Sequence, residues 1–355
     1  MGLRSYIAKR LLYSFILVIA VLSFNFYLFM VMPGNPVSMF IPQHGLTKER
    51  FEEMKSAFER QWGLDKPFHI RYLTYLSNMF QFKFGKSIIN NRPVADEIMY
   101  RLPFTIELMG LSTILAIIIG VVFGVIVAYK RGTILDTGSV ALALILNSLP
   151  VFWFGMVFIL IFSNWLGWFP TAHAYPEEWG TTSTPWPQPI TINSLVNNGI
   201  STTINLNPNE TLTLISGLLR HLALPLLTLT LFQYGSFLLL TRAVMLESLT
   251  EDYIITARAK GVPERSVLFR HALKNASLPL ITSIALSFGF MISGATITET
   301  VYTWPGLGWW MYQTVIFQDY FGMQAFFYII ALCVIIANII ADLLYGIIDP
   351  RVRYG

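Results

Sequence analysis

The residue types that carry out enzymatic chemistry occur in this 355-residue chain, but their spacing matches no catalytic or metal-binding pattern. The stretch KFGKS, at Lys83–Ser87, ends like a phosphate-binding loop, yet that loop requires a glycine where Phe80 stands. No HExxH or GxSxG pattern and no nucleophile–base pattern occurs. The sequence therefore predicts no catalytic residue, no metal site and no cofactor, and it disfavours an intramembrane enzyme. The histidines lack metal-ligand spacing: His44, His69, His173, His221 and His271.

The composition indicates a membrane protein. Hydrophobic residues make up 54% of the chain and charged residues only 12%, whereas soluble domains average about 25% charged residues. Because so few charges cannot cover a water-facing surface, most of the surface is expected to face lipid. The single cysteine, Cys333, allows neither a disulfide within the chain nor a thiol cluster.

Six apolar runs approach or exceed the length of a transmembrane helix, which needs about 20 residues. None alternates as a barrel strand would, and lipid requires the backbone polar groups to be satisfied within each segment. The first run is expected to be retained, because no A-x-A cleavage site follows it. The sequence thus predicts an all-α polytopic membrane protein with spans at Leu11–Met32, Leu108–Tyr129, Gly138–Phe162, Leu222–Thr241, Leu278–Ile297 and Tyr320–Ala341.

Basic residues set the predicted orientation, because cytoplasmic loops are enriched in lysine and arginine. They occur at the N-terminus, in the second and fourth connections and at the C-terminus, whereas residues 132–219 and 275–350 contain none. Arg220 is the lone basic residue at the mouth of the fourth span. Both termini and the fourth connection are therefore predicted to be cytoplasmic. The first connection is basic but long, and the charge rule weakens for long loops.

Two of the predicted outer connections carry distinctive patterns. Thr47–Trp62 places apolar residues at helical spacing, which predicts an amphipathic helix that packs on the outer face of the spans or docks a partner. In the third connection, Trp179 and Trp186 lie too far from the apolar runs for a membrane-boundary position. They are candidates for binding a partner protein or a ligand.

Acidic residues within spans would indicate an ion or proton pathway. Glu107, Glu299 and Asp342 all lie near the ends of the apolar runs, and no acid lies at a midplane. A stand-alone secondary transporter, the alternative function, would be favoured by a midplane acid or an inverted repeat. Other polar, aromatic or helix-breaking residues either pack between helices or line a solute path. The path candidates are Asn147, Pro150, Trp153, Gln233, Ser293 and Glu299.

The fourth connection contains a basic segment, Ala257–Pro279, between two apolar runs. Ser248 and Glu251 have the spacing of a capping box at a helix start. Gly261 can adopt left-handed backbone angles that close a helix, and Pro263 prevents its continuation. A second helix is expected from residue 264 to 278. The pattern predicts a short helix held parallel to the membrane, which an ordinary basic loop would not require.

This segment resembles the EAA loop of ABC importer permeases, and DYIITARAKG and FRHALKNASLPLIT resemble the B-type subunits of the dipeptide/oligopeptide/nickel permease family. Other stretches along the chain resemble the same family, so the resemblance covers nearly the whole chain. They are MPGNPV, RLPFTIEL, SLPVFWFG, ETVYTWPGLG and NIIADLLYGIIDPRVR. Ile255-Thr256-Ala257 stands where the general motif has Glu-Ala-Ala. The resemblance implies the type I importer permease fold with extracytoplasmic insertions. It divides the chain into an N-terminal helix (1–32), an extracytoplasmic segment (33–103) and a core permease domain (104–355), with an insertion at 163–212 and a cytoplasmic coupling loop at 247–277.

The resemblance also implies the partners. They are a C-type permease subunit, two cytoplasmic ATP-binding subunits that hold ATP and Mg²⁺, and an extracytoplasmic solute-binding protein, all at the cell membrane and without nucleic acid. Oligopeptides and short oligosaccharides both remain open as substrates, and nickel is disfavoured because no histidine pair is placed to bind it. Trp179 and Trp186 become candidates for docking the binding protein. The implied ATPase-coupling residues are Glu251, Asp252, Tyr253, Thr256, Ala257, Arg258, Lys260 and Gly261.

Overall fold

The computed structural model describes residues 3–31, 48–61, 65–174, 208–291 and 295–348. Regular structure in these residues is helical, apart from one isolated bridge between Lys86 and Pro93. The predicted all-α fold is therefore confirmed. The helices are α1 (Leu3–Val31), α2 (Lys48–Gln61), α3 (Phe68–Phe80), α4 (Val94–Tyr129), α5 (Ile134–Ser148), α6 (Val151–Phe158), α7 (Pro208–Ser248), α8 (Asp252–Ala259), α9 (Ser277–Met291), α10 (Thr296–Val301), α11 (Leu307–Ile316) and α12 (Tyr320–Ile348).

Four helices are long and apolar enough to cross a membrane, and they correspond to the predicted first, second, fourth and sixth spans. Their spanning parts are Lys9–Phe29, Val94–Tyr129, Ile215–Ser248 and Tyr320–Ile340. The second begins well before the predicted Leu108, so the predicted boundary at residue 103 falls inside α4. The predicted amphipathic helix of the first connection is confirmed as α2.

The predicted third span, Gly138–Phe162, is not one continuous helix. The chain forms α5 and then α6, which continues as the π-helix Ile159–Trp165, and the two parts are bent by 98°. Leu149 adopts extended backbone angles between them. A residue before proline is disfavoured in the helical region, so Pro150 accounts for the break.

The predicted fifth span, Leu278–Ile297, is shorter in the structure. Helix α9 ends at Met291, and α10 starts separately after Ala295. Residue Ser293 lies outside the described residues. The count of six continuous transmembrane helices is therefore not reproduced. The structure has four long spans, one bent helix pair and one 15-residue helix in the described residues.

Helices α4 and α7 form the centre of the bundle and approach closely at two glycines. A Cβ atom on Gly120 would lie 2.6 Å from Cβ of Phe237, and one on Gly124 would lie 2.6 Å from Cβ of Thr241. Helices α5 and α6 pack against this pair, whereas α12 packs against α1 and α9. Helix α8 packs against the last turns of α4 and α7, so we call this end of the bundle the α8 end. The end at which α4 starts is called the opposite end.

The KFGKS stretch lies at the opposite end and has a structural role. The Ser87 hydroxyl forms a short hydrogen bond with the Asp319 carboxylate, which also accepts a bond from the backbone N–H of Gly322 at 3.1 Å. The Ser87 and Asp319 side chains are buried. This turn therefore fastens the segment before α4 to the start of α12, and its likeness to a phosphate loop is superficial.

Candidate functional site

Helix α8 packs against the ends of α4 and α7 at the α8 end of the bundle. Ile254 and Ala257 are buried, one helical turn apart. They pack in a cluster with Val125, Ala128 and Met245, which belong to the last turns of α4 and α7. Residues of the segment that follows α8 complete the cluster: Val267, Leu268, Ala272 and Ala276. The short helix is therefore anchored to two long spans by apolar packing.

The opposite stripe of α8 is exposed. Asp252, Ile255, Thr256 and Ala259 follow at i, i+3, i+4 and i+7, the spacing of one helical face. Ile255 is 60% exposed although it is a large aliphatic residue. The helix thus presents an aliphatic side chain flanked by polar groups, on the side away from the bundle.

The start of α8 differs from the predicted capping box. Ser248 is the last residue of α7 rather than an N-cap, and Glu251 at the N-cap position makes no side-chain capping bond. The Ser248 hydroxyl donates to the carbonyl of Ala272 at 3.1 Å and accepts from the Tyr253 hydroxyl at 2.6 Å. The helix of α7 continues through residue 248, so this serine is buried against the returning chain and is unavailable to cap α8.

The end of α8 is as the sequence predicts. Gly261 has φ of +72°, in the left-handed region. Its N–H donates to the carbonyl of Arg258 at 2.9 Å, and the N–H of Val262 donates to the carbonyl of Ala257 at 3.2 Å. These two bonds are the pair that defines a Schellman motif. The glycine therefore ends the helix through its backbone conformation.

An ion pair spans the turn that follows. Arg258 donates from Nη2 to Oε1 of Glu264 at 2.7 Å and from Nε to Oε2 at 3.3 Å. The carboxylate raises the pKa of the Arg258 guanidinium. Both side chains are partly exposed, so the pair adds little stability and mainly fixes the geometry of the turn. Lys260 remains exposed beside it.

The chain then returns to the membrane through three short pieces: Glu264–Ser266, the π-helix Val267–Ala272, and Leu273–Asn275. The predicted second helix is therefore present but irregular. A π-helical turn widens the backbone and often marks a functional site. Here it carries Val267, Leu268 and Ala272 into the cluster beneath α8.

The predicted path residues are not gathered in one place. Gln233 on α7 accepts from the Thr113 hydroxyl at 3.1 Å and donates to the Ser112 hydroxyl at 3.3 Å, so its amide joins α7 to α4. Asn147 is exposed and lies against Gly235 of α7. Pro150 marks the bend, and Trp153 just after it is 46% exposed. Asn147, Pro150 and Trp153 therefore share the bent region, and they remain candidates to meet a solute.

Glu299 does not line an open path in this structure. It is fully buried in α10, outside the spanning helices. Oε1 accepts from the Thr105 hydroxyl at 3.0 Å and Oε2 from the backbone N–H of Trp309 at 2.9 Å. Burial raises the pKa of Glu299 to about 7. Its two oxygens accept hydrogen bonds from α4 and from the start of α11. In this structure the carboxylate therefore joins helices and does not line the predicted solute path.

Sequence reasoning missed three features of the α8 end. Ile255 is not among the predicted coupling residues, although an aliphatic residue in a basic segment is itself a signal for a contact surface. The Ser248–Tyr253 bond was not predicted, because the spacing of Ser248 and Glu251 indicated a capping box. Arg242 on α7 donates to Asp136 on α5 at 2.6 Å, and the long sequence separation concealed this pair. Trp179 and Trp186 lie outside the described residues.

Comparison with known proteins decides the family. Residues 120–354 match the family described as binding-protein-dependent transport system inner membrane component, and residues 3–109 match its N-terminal membrane component. The chain belongs to this family of ABC importer permeases. The permease is therefore a multi-pass membrane transport subunit and not an enzyme.

Curated relatives narrow the comparison to the dipeptide/oligopeptide branch. The permease is 35% identical to the oligopeptide transport system permease protein AppB of Bacillus subtilis (strain 168), over 99% of both chains. It is 33% identical to the di/tripeptide transport system permease protein DppB of Pseudomonas aeruginosa (strain UCBPP-PA14), also over 99% of both chains. It is 34% identical to the dipeptide transport system permease protein DppB of Escherichia coli (strain K12), over 91% of both chains.

Proposed function

We propose that the permease is one of two membrane subunits of a peptide importer and that α8 is its contact with an ATP-binding subunit. The observation that carries the proposal is the build of α8: Ile254 and Ala257 anchor it, Gly261 ends it, and Ile255 faces outward. A force applied to this face is transmitted to α4 and α7 through the buried cluster. The partners are a C-type permease, two ATP-binding subunits that hold ATP and Mg²⁺, and an external solute-binding protein.

The proposed cycle follows from this anchoring. Closure of the ATP-binding subunits draws the coupling helices of the two permeases together, and the spans rotate as rigid bodies between inward- and outward-facing states. The α8 end is then cytoplasmic, together with both termini. Solute passes from the binding protein into a path between the two permeases, and Asn147, Pro150 and Trp153 in the bent region are its candidate contacts. Gln233 and Glu299 are bonded to other helices, and Ser293, outside the described residues, stays a candidate.

The docking face is tested by Ile255→Glu in the complete importer. A carboxylate in the interface removes an aliphatic contact and must be desolvated, so we expect the ATP-binding subunits to bind at least about tenfold more weakly. Affinity is measured by titrating purified ATP-binding subunits onto the two permeases in nanodiscs. Ile134→Glu is the matched control, since Ile134, the first residue of α5, is 92% exposed at the same end. Equal affinities for both variants would exclude α8 as the docking helix.

Peptides are the proposed substrates because the three relatives are named as peptide permeases. Short oligosaccharides are the competing candidate. Proteoliposomes containing the complete importer and its binding protein are supplied with labelled dipeptides, pentapeptides or trisaccharides. ATP-dependent uptake of a peptide is expected, and uptake of the trisaccharide alone would contradict the proposal. Nickel uptake serves as a further negative control.

We further propose that Trp179 and Trp186 contact the solute-binding protein. Tryptophan is enriched among interface hot spots, and a loop outside the membrane meets the binding protein before free solute. Changing both residues to alanine should weaken docking by roughly 2 kcal/mol or more if both are hot spots. Titration of the loaded binding protein onto the reconstituted importer measures this. Unchanged docking with altered solute preference would favour direct solute contact instead.

A further inference from the structure

An apolar cavity of about 450 Å³ lies between α4, the segment after α6 and α7. Leu115 and Ile119 line it from α4, Phe162 and Trp168 from the end of the bent span, and Leu227 and Thr230 from α7. Leu115, Leu227 and Trp168 are each more than one-third exposed, so the cavity is open to the surface of the part of the chain that the structure describes. Its α4 and α7 residues belong to two of the membrane-spanning helices, so the cavity lies at the depth of the membrane.

An arginine lies close to this cavity. Arg220 is exposed and stands about one helical turn before the first α7 residue of the lining, and its Nη2 donates to the carbonyl of Trp168 at 3.2 Å. It is the only lysine or arginine between positions 132 and 241. A guanidinium offers five N–H donors in a planar fork that suits phosphate, and the bond to Trp168 uses only one of them. Arg220 therefore has the charge and geometry to bind a phosphate group.

The distance along α7 from Arg220 to Thr230 matches the hydrocarbon thickness of one leaflet of a bilayer. Arg220 and Thr230 are separated by ten residues of continuous helix, which is about 15 Å of axial rise. The hydrocarbon core of a bilayer is about 30 Å thick, so one leaflet supplies about half of that. A lipid whose phosphate lies at Arg220 thus places an acyl chain along the whole cavity.

The lining disfavours a transported solute as the occupant. A peptide or sugar requires hydrogen-bond partners for its polar groups. Apart from the indole of Trp168, Thr230 is the polar side chain of the lining, and its hydroxyl is buried without a partner among the described residues. An acyl chain has no polar groups to satisfy, and it loses nothing by contacting this surface.

We propose that this cavity binds one acyl chain of a membrane phospholipid and that Arg220 binds its phosphate. The importer is assembled in nanodiscs that contain a phosphatidylglycerol analogue with a diazirine in its acyl chain. After illumination, we expect mass spectrometry to find the label on residues of α4 and α7 that line the cavity. A phosphatidylcholine analogue with the same diazirine shows whether the phosphate alone suffices or a net negative charge is required, and labelling by either lipid supports the site.

Two variants and one control make the test decisive. Arg220→Gln removes the charge-assisted bond and should lower labelling about tenfold. Leu227→Trp fills the cavity and should lower labelling to background. Leu142→Trp, on an exposed position of α5 outside the cavity, should leave it unchanged. Unchanged labelling in either of the first two variants overturns the site. So does a photo-crosslinker at position 227 that captures the C-type permease, because the cavity would then be filled by protein.

Discussion

At the scale of single residues, the permease uses its buried polar side chains to join segments that are distant in sequence. Thr105 donates to Glu299 and accepts from the backbone N–H of Leu307 at 2.7 Å, so one hydroxyl connects α4 with both α10 and α11. The Trp304 indole donates to the carbonyl of Phe104 at 3.0 Å beside it. At the other end, Ser248 joins α7, α8 and the returning chain. Each such group is costly to leave without its partner, so these bonds specify how the helices meet.

The buried carboxylate predicts a pH dependence of stability. Burial raises the pKa of Glu299 to about 7, above the value of about 4.3 for an unperturbed glutamate. Between these values the folded state binds more protons at this site than the unfolded state, so stability falls as pH rises through this window. In Glu299→Gln this contribution disappears. We expect the midpoint of thermal inactivation of the purified importer to depend less on pH, between about pH 5 and about pH 7, in the variant than in the wild type.

The control for this measurement is Asp96→Asn, which removes an exposed acid at the same end of the bundle. A pH slope that survives in Glu299→Gln but vanishes in the control would show that a different group titrates. Transport is measured alongside, because a structural carboxylate should leave the substrate preference unaltered.

At the scale of elements, apolar run length predicted six spans, of which four are long helices in the structure, and local chemistry explains the other two. The proline at position 150 disfavours a helical conformation at Leu149, which accounts for the 98° bend. Mean hydropathy along the run does not change at a proline, so it cannot predict the direction of the chain after the bend. The left-handed Gly261 was predictable because a Gly-x-Pro stop is local. The positions of Gln233 and Glu299 were not, since their partners Thr113 and Thr105 belong to another helix and become neighbours only after packing.

The stop at Gly261 can be separated from packing by experiment. A Cβ atom there would meet no heavy atom within 4 Å, so a larger side chain has room and only the positive φ opposes it. Gly261→Val should disfavour the turn by about 1–2 kcal/mol and uncouple uptake from ATP hydrolysis. Gly261→Asn is the matched control, because asparagine visits the left-handed region. Both activities are assayed in proteoliposomes. Equal uptake by the two variants would show that the turn is not needed for coupling.

Gly124 differs from Gly261, because a larger side chain there has no room between α4 and α7. A Cβ atom there would lie 2.6 Å from Cβ of Thr241 and 2.9 Å from the carbonyl oxygen of Leu238, so the helices must separate. Gly124→Val should cost about 1–3 kcal/mol by overpacking and lower the midpoint of thermal unfolding of the importer. Gly138→Val is the control, because a Cβ atom on Gly138 meets no heavy atom within 4 Å. Equal destabilisation by the two substitutions would mean that helix propensity, rather than close approach, sets the effect.

At the scale of the whole molecule, the distribution of charge and the position of α8 support the same orientation. The α8 end carries Lys130 and Arg131 after α4 and the basic residues around α8, whereas the basic residues of the opposite end belong mainly to the long first connection, to which the charge rule applies weakly. A cytoplasmic ATP-binding subunit can reach α8 only if this end faces the cytoplasm. The mechanism therefore depends on topology more than on any single contact.

This orientation is tested by placing single cysteines at exposed positions in a Cys333→Ala background and treating intact cells with a membrane-impermeant maleimide. Arg131→Cys and Lys260→Cys should react only after permeabilisation, because both side chains are exposed at the α8 end. Lys86→Cys should react from outside, since it is exposed at the opposite end. The native Cys333 is removed because it lies within α12 and would confuse the readout. Labelling of position 260 in intact cells would place α8 on the side away from ATP, and the coupling role of its Ile255 face would then be untenable.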